Sequence, residues 1–136
     1  MNKAWQKATQ MGDVETVRAM FAIAEHVNSR DDHGQTALMN AARQGHVDLV
    51  RVLVAEGADL DVRAKYGLTA LMLAITNDRR DVARILIDAG ADLSVTGTGA
   101  PGFAGKTAQD LARGRGQEEV VAALEAATHR IDRPSQ

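Results

Sequence analysis

The chain has 136 residues, 45% of them hydrophobic, which suits one packed domain and argues against wholesale disorder. With 16 basic and 18 acidic residues its formal charge is −2, so no global field draws in nucleic acid or an anionic membrane. It has no cysteine, which excludes disulfides and thiolate chemistry.

The opening stretch, MNKAWQKATQ, lacks the apolar run of a secretory signal, and no later run is long enough to span a bilayer. A cytoplasmic protein is therefore expected. Residues 1–30 read as a short helix pair carrying Ala4, Trp5 and Ala8, then Val14, Val17 and Met20. Gln6, Lys7, Gln10, Asp13 and Arg18 spread polarity over it, as suits an end unit with one face in water. Its closing stretch AIAEH leaves the stop of its second helix undefined.

At residue 31 a clearer pattern begins. Asp31, Asp32, His33 and Gly34 form a polar turn. Thr36 is placed to cap a helix carrying Leu38, Ala41 and Ala42. Gly45 stops that helix. Val47, Val50, Leu53 and Val54 line one face of the next, with Asp48, Arg51 and Glu56 between them. Helices of about ten residues are marginal alone, so packing on neighbouring units must stabilise them.

Residues 64–96 repeat residues 31–63. Gly34, Thr36, Leu38, Leu53 and Asp59 return as Gly67, Thr69, Leu71, Leu86 and Asp92, each 33 positions on. Asn77 is the expected substitute for the glycine-type stop. The same register puts Trp5 at the place of Leu38 and so in the core. A fourth copy starts late. Thr107 follows Thr69 by 38 positions, so five extra residues enlarge the loop GTGAPGFAG. Thr107 and Asp110 have the spacing of a capping box, and Val120, Val121 and Leu124 supply the second apolar face. The ending THRIDRPSQ is polar and contains Pro134, so residues 128–136 are expected to be a disordered tail. A fixed period in this range is the signature of a stacked repeat architecture, here all-α.

These motifs make the chain resemble the ankyrin-repeat family, from about residue 3 to residue 127. The matching stretches are G-x-T-A-L at 34–38 and 67–71, G-H-V-D-L-V at 45–50, and G-A-D at 57–59 and 90–92. The family's T-P-L-H is here TALM twice and TAQD once. The resemblance implies one domain over 1–127, a solenoid of four stacked helix–turn–helix repeats with β-hairpin-like fingers. Its units are 1–30 as N-terminal cap, 31–63, 64–96, and 97–127 as C-terminal cap with the enlarged finger. It also implies a non-catalytic module whose concave face of fingers and first helices binds another protein. With both end units polar, a monomer is expected.

On that alignment the partner-binding candidates on the fingers are His33, Gln35, Lys65, Tyr66, Leu68, Phe103 and Lys106. The ends of the first helices add Arg43, Gln44, Thr76, Asn77 and Arg115. Tyr66, Leu68 and Phe103 stand out as apolar or aromatic side chains at positions the turn pattern exposes, either packing finger on finger or forming a binding hot spot.

Four other signals bear on chemistry. APGFAGKT at 100–107 matches a relaxed phosphate loop, with Lys106 on phosphate oxygens and Thr107 on magnesium. A helix and a finger precede it, however, and Gly105 and Thr107 restate Gly67 and Thr69. Asp59-Leu-Asp61 lacks the oxygen ligand and glycine that a calcium loop needs next. His26, His33, His46 and His129 have no metal-ligand spacing, and His46 reads as a structural residue at a helix start. Arg79-Arg80 reads as a solvated basic pair. No catalytic, cofactor or metal residue is expected. An inhibitor masking an enzyme's active site would use the same surface, and a nucleotide-binding enzyme built on Lys106 is the further alternative.

Overall fold

The computed structural model describes residues 3–21, 27–99 and 102–132, with side chains as far as His129. Eight α helices follow one another there: α1 Lys3–Met11, α2 Val14–Phe21, α3 Ala37–Gln44, α4 Val47–Ala55, α5 Ala70–Thr76, α6 Arg80–Asp88, α7 Ala108–Gly114 and α8 Glu118–Asp132.

The starts of α3, α5 and α7 are alike because a threonine stands at each. Thr36, Thr69 and Thr107 are extended, and their hydroxyls accept from Met39 N, Met72 N and Asp110 N at 3.2–3.3 Å. Each bond satisfies an N–H that the helix itself leaves without a partner. At Thr107 the box is complete, since Asp110 accepts in turn from Thr107 N at 3.0 Å. The stops are alike too. Gly45 is left-handed at φ 78, and the next residue, His46, donates its backbone N–H to Ala41 O at 3.0 Å. In the following unit the left-handed residue is Asp78, at φ 58, not Asn77. Asn77 stays at φ −104, and its side chain donates to Leu73 O at 2.8 Å. The expectation for Asn77 is thus moved by one residue. A short polar aspartate tolerates this conformation, and 78 is the position that repeats 45.

The helices form two rows. In the first, α1, α3, α5 and α7 pack successively, and in the second α2, α4, α6 and α8 do. Each first-row helix also packs on its own partner in the second. α3 and α5 are hemmed in by neighbours, so every residue of Ala37–Ala42 and Ala70–Ile75 is buried. Their alanines permit that close approach. α4 and α6 bury one stripe each, through Leu49, Val50 and Leu53 and through Val82, Ala83, Leu86 and Ile87. Trp5 is wholly buried, as the 33-residue register requires, and meets Phe21 edge-on at 5.5 Å.

Two differences concern the loops and the end. The fingers expected to be hairpin-like carry two isolated bridges, Arg30 with Thr36 and Gly97 with Ala104, and no strand among the described residues. The expected disordered tail from 128 is helical as far as Asp132. Thr128 lies on the same helix and its hydroxyl donates to Leu124 O at 2.8 Å. The stretch AIAEH at 22–26 lies outside the described residues.

Polar ladders tie unit to unit. Arg30 Nη1 lies 3.5 Å from Arg63 O, and Arg63 Nη2 donates to Thr96 O at 2.7 Å. Asp59 N donates to Asn28 Oδ1 and Asp92 N to Asp61 Oδ1, both at 2.8 Å. Asp59 Oδ1 meanwhile accepts from Asp61 N at 2.9 Å, so the acidic pair once weighed as a calcium loop is engaged in backbone bonds.

Candidate partner-binding surface

The first finger is organised by Asp31. Its carboxylate accepts from His33 N at 2.9 Å, Gln35 N at 3.0 Å and Asn40 Nδ2 at 3.2 Å. Burial pushes this carboxyl up, but the bonds from Gln35, Asn40 and His33 outweigh it and hold it below the usual carboxylate range. The chain of contacts continues through buried Asn40, whose Oδ1 accepts from Arg43 Nη2 at 3.1 Å. His33 stands exposed at the tip, while Gln35 and Arg43 are half-buried. Gln44 is half-buried too, its Oε1 2.8 Å from His46 Nε2.

The second finger has Ala64 where the first has Asp31, and it closes differently. Lys65–Gly67 form a single 3-10 turn with Tyr66 left-handed at φ 62. A bulky aromatic in that region is a true outlier. Tyr66 remains 38% exposed, and Lys65 Nζ lies 5.0 Å from its ring centroid. Leu68, expected on the surface, is instead 5% exposed and belongs to the core. Directly before the capping threonine the chain has already turned inward, so this apolar side chain faces the helices. The first finger carries Gln35 at the same place.

The enlarged third finger folds back on the second. Gly97 N donates to Lys106 O at 2.9 Å and Gly105 N to Gly97 O at 3.0 Å, closing the loop at its base. Thr98 N donates to Tyr66 O at 2.7 Å, and the rings of Tyr66 and Phe103 lie 5.6 Å apart, tilted at 32°. The two aromatics singled out from sequence therefore touch each other. Phe103 is half-buried against the core, and Tyr66 is the more open of the pair.

Beyond Phe103 the finger and the first-row helices enclose an open groove of about 590 Å³, lined by Thr76, Gly102, Phe103, Lys106, Asp110, Leu111, Gly114 and Arg115. Thr76, Phe103, Lys106 and Arg115, expected from sequence, meet here. Lys65 and Tyr66 adjoin through the ring contact. His33, Gln35, Arg43, Gln44 and exposed Asn77 do not line it. Asp110, Leu111 and Gly114 were not foreseen. Their signal is helical spacing, since 110 with 114 and 111 with 115 stand four apart along α7. The backbone N–H of Thr107, then its hydroxyl, holds the Asp110 carboxyl below its ordinary range, against slight burial and with Arg113 and Lys106 nearby.

The remaining chemical signals resolve as architecture. The Asp110 carboxylate occupies the first turn of α7 where the phosphate-loop reading would need an anion, and no described strand precedes that turn. Residues 100 and 101 of that motif lie outside the described residues. Among the described residues no group of three His, Asp or Glu is placed to hold a metal, and no helix is long and apolar enough to cross a membrane. Arg79-Arg80, expected to be solvated, is engaged on both sides. Arg79 Nε donates to Arg43 O at 3.2 Å, and Arg80 pairs with Asp78 at 3.1 Å and Glu119 at 3.4 Å. Those bonds, donated to Asp78 and then to Glu119, hold the Arg80 guanidinium more firmly protonated. His46 acts at the equivalent position, with Nε2 3.0 Å from Gln10 O.

The repeat register and the two helix rows agree with the sequence comparison. A family model described as ankyrin repeats (3 copies) matches residues 5–97, and the chain belongs to that family. Ankyrin repeats are in general protein–protein interaction modules and typically not catalytic. No curated protein matches the chain.

Proposed function

We propose that the chain is a non-catalytic, monomeric module that binds another protein through its fingers and the concave side of its first-row helices. On this reading α7–α8 form a fourth repeat that completes the stack. The observation that carries the proposal is the groove in which Thr76, Phe103, Lys106 and Arg115 converge beside the exposed Tyr66. Such a site joins aromatic area to cationic groups on a scaffold already ordered before contact, which lowers the ordering cost of association.

The test is affinity capture from the organism that encodes the chain, with wild type and a Tyr66→Ala/Phe103→Ala double variant side by side. The expected result is a protein retained by wild type and depleted for the variant, with both chains folded by circular dichroism. Equal retention by the two would reject this surface.

A further inference from the structure

The cations of the molecule are not used alike. Among the described residues the ion pairs are Arg80 with Asp78, Arg80 with Glu119, and Arg113 with Glu125. Each involves the second helix row or its junctions. Lys65, Lys106 and Arg115 stand on the finger side and, like Arg51 of α4 and Arg84 of α6, enter none of these pairs. Lys106 and Arg115 both line the groove. The groove wall holds one carboxylate, Asp110, which accepts from Thr107 N and has Lys106 and Arg113 nearby, so two cations stand in the wall against one anion. Apolar Phe103 and Leu111 line it with them. A chain with a formal charge of −2 thus turns a locally cationic, partly apolar trough outward.

The seven residues of α7, about 10 Å at the helical rise, and the extended Thr107 separate Lys106 from Arg115. An extended peptide covers that distance in about four residues. We infer that the groove takes an extended acidic segment of the partner protein. Carboxylates about four residues apart meet Lys106 and Arg115, and an apolar side chain between them rests on Phe103 and Leu111. Arg115 suits a two-pronged contact with a carboxylate, and Lys106 serves as a point charge. This inference rests on the protein-binding reading above and adds the chemistry of what is bound.

The test uses a display library of randomised nine-residue peptides, selected on the full chain and on a Lys106→Glu/Arg115→Glu double variant of matched thermal stability. The expected wild-type winners carry Asp or Glu on both sides of a Phe, Leu, Ile or Trp. Selection on the variant should shift the flanking residues to Lys or Arg. Synthesised wild-type winners should bind Lys106→Gln/Arg115→Gln about tenfold more weakly, as lost charge contacts do. Their binding should also weaken as salt shortens the Debye length from about 30 Å at 0.01 M to about 3 Å at 1 M. Winners that are apolar or basic, yet lost on Tyr66→Ala/Phe103→Ala, would overturn the acidic segment while leaving the docking surface standing. Absence of winners on wild type, or winners indifferent to both double variants, would overturn the two together.

Discussion

Gln117 donates its side-chain Nε2 to the carbonyl of Ile75, 2.9 Å away, across the boundary between the last two helix pairs, and both residues are buried. The same amide reaches Asp78 Oδ1 at 3.2 Å. Gln117 stands just before α8 as Arg79 stands before α6 and His46 before α4. All three reach back to a carbonyl near the end of the preceding first-row helix, at Ile75, Arg43 and Gln10. A helix end leaves carbonyls without partners, and the next unit supplies one. An amide, a guanidinium and an imidazole meet the same need, 33 positions apart from His46 to Arg79 and 38 from Arg79 to Gln117 across the enlarged finger, so the repeat preserves the bond and not the residue.

Gln117→Leu tests that bond where it is most buried. The Ile75 carbonyl would lose this side-chain donor but keep the backbone N–H of Asp78 at 3.1 Å, so the loss is that of one buried hydrogen bond, about 0.5–1.5 kcal/mol. Urea unfolding should show it as a lower midpoint with unchanged slope. A midpoint shift equivalent to less than about 0.5 kcal/mol, the range of ordinary surface changes, would show that the bond does not tie the units.

The helix core makes a second prediction. Leu53 and Leu86 are equivalent positions in α4 and α6, and both are fully buried. Either leucine changed to alanine should cost about 2–5 kcal/mol. Met11 is 67% exposed, so Met11→Ala should change stability by less than about 0.5 kcal/mol. Parallel urea titrations decide it, and a leucine variant as mild as Met11→Ala would refute the assigned interior.

The third concerns the path of the enlarged finger. A Cβ on Gly97 would stand 2.4 Å from the backbone oxygen of Phe103, which no side-chain rotation relieves. A Cβ on Gly102 meets nothing within 4 Å. Gly97→Ala should therefore lower the melting temperature and displace Phe103 from Tyr66, detectable as a change in tyrosine fluorescence. Gly102→Ala should do neither. Identical melts and spectra for the two variants would mean that the loop does not close as described.

Acid should weaken the fold through its capping carboxylates. Asp13, Asp31, Asp92 and Asp110 are all held below the ordinary aspartate range by donated hydrogen bonds. A depressed folded-state pKa means that the unfolded chain binds more protons near pH 4. These groups then contribute fully above the unfolded value of about 3.9, and the contribution is lost as pH falls through the folded values. Denaturation midpoints followed downward from pH 6 should fall below about pH 4. Asp31→Asn and Asp110→Asn should each flatten that fall. An unchanged slope in both variants would assign the acid sensitivity to other groups.

The 33-residue period made the architecture legible, because a residue buried between units must recur wherever a unit does. Trp5 could be placed in the core from the position of Leu38, and Thr36, Thr69 and Thr107 could be named as caps. Departures from the period were harder to read. Leu68 looked exposed because its neighbours on the turn are, yet the inward turn before Thr69 decides its direction. Asn77 drew the helix stop on its own preference, while the register pointed to Asp78. Arg79 is exposed as read, but its bond to the Arg43 carbonyl 36 positions away lies beyond any local pattern. The contact of Tyr66 with Phe103 depends on how five inserted residues fold back, which no repeat template encodes. Four of the candidate surface residues meet in one groove because they sit on the finger and first-helix positions of adjoining units, a geometry the period does contain.

Tyr66 offers the last and sharpest separation of stability from binding. Its left-handed backbone, φ 62, costs a bulky residue about 1–2 kcal/mol, which asparagine or glycine would largely avoid. Its ring returns about 0.5–1.5 kcal/mol by lying against Phe103. The two nearly cancel, so Tyr66→Asn should leave unfolding free energy within about 1 kcal/mol of wild type. Strain of this kind persists where a side chain is held out for use. The same variant should weaken capture of the partner about tenfold, the loss that follows removal of an aromatic anchor. Calorimetry and a binding titration on one preparation compare the two directly. A large loss of stability with unaltered affinity would mean that the ring serves the fold and not the partner.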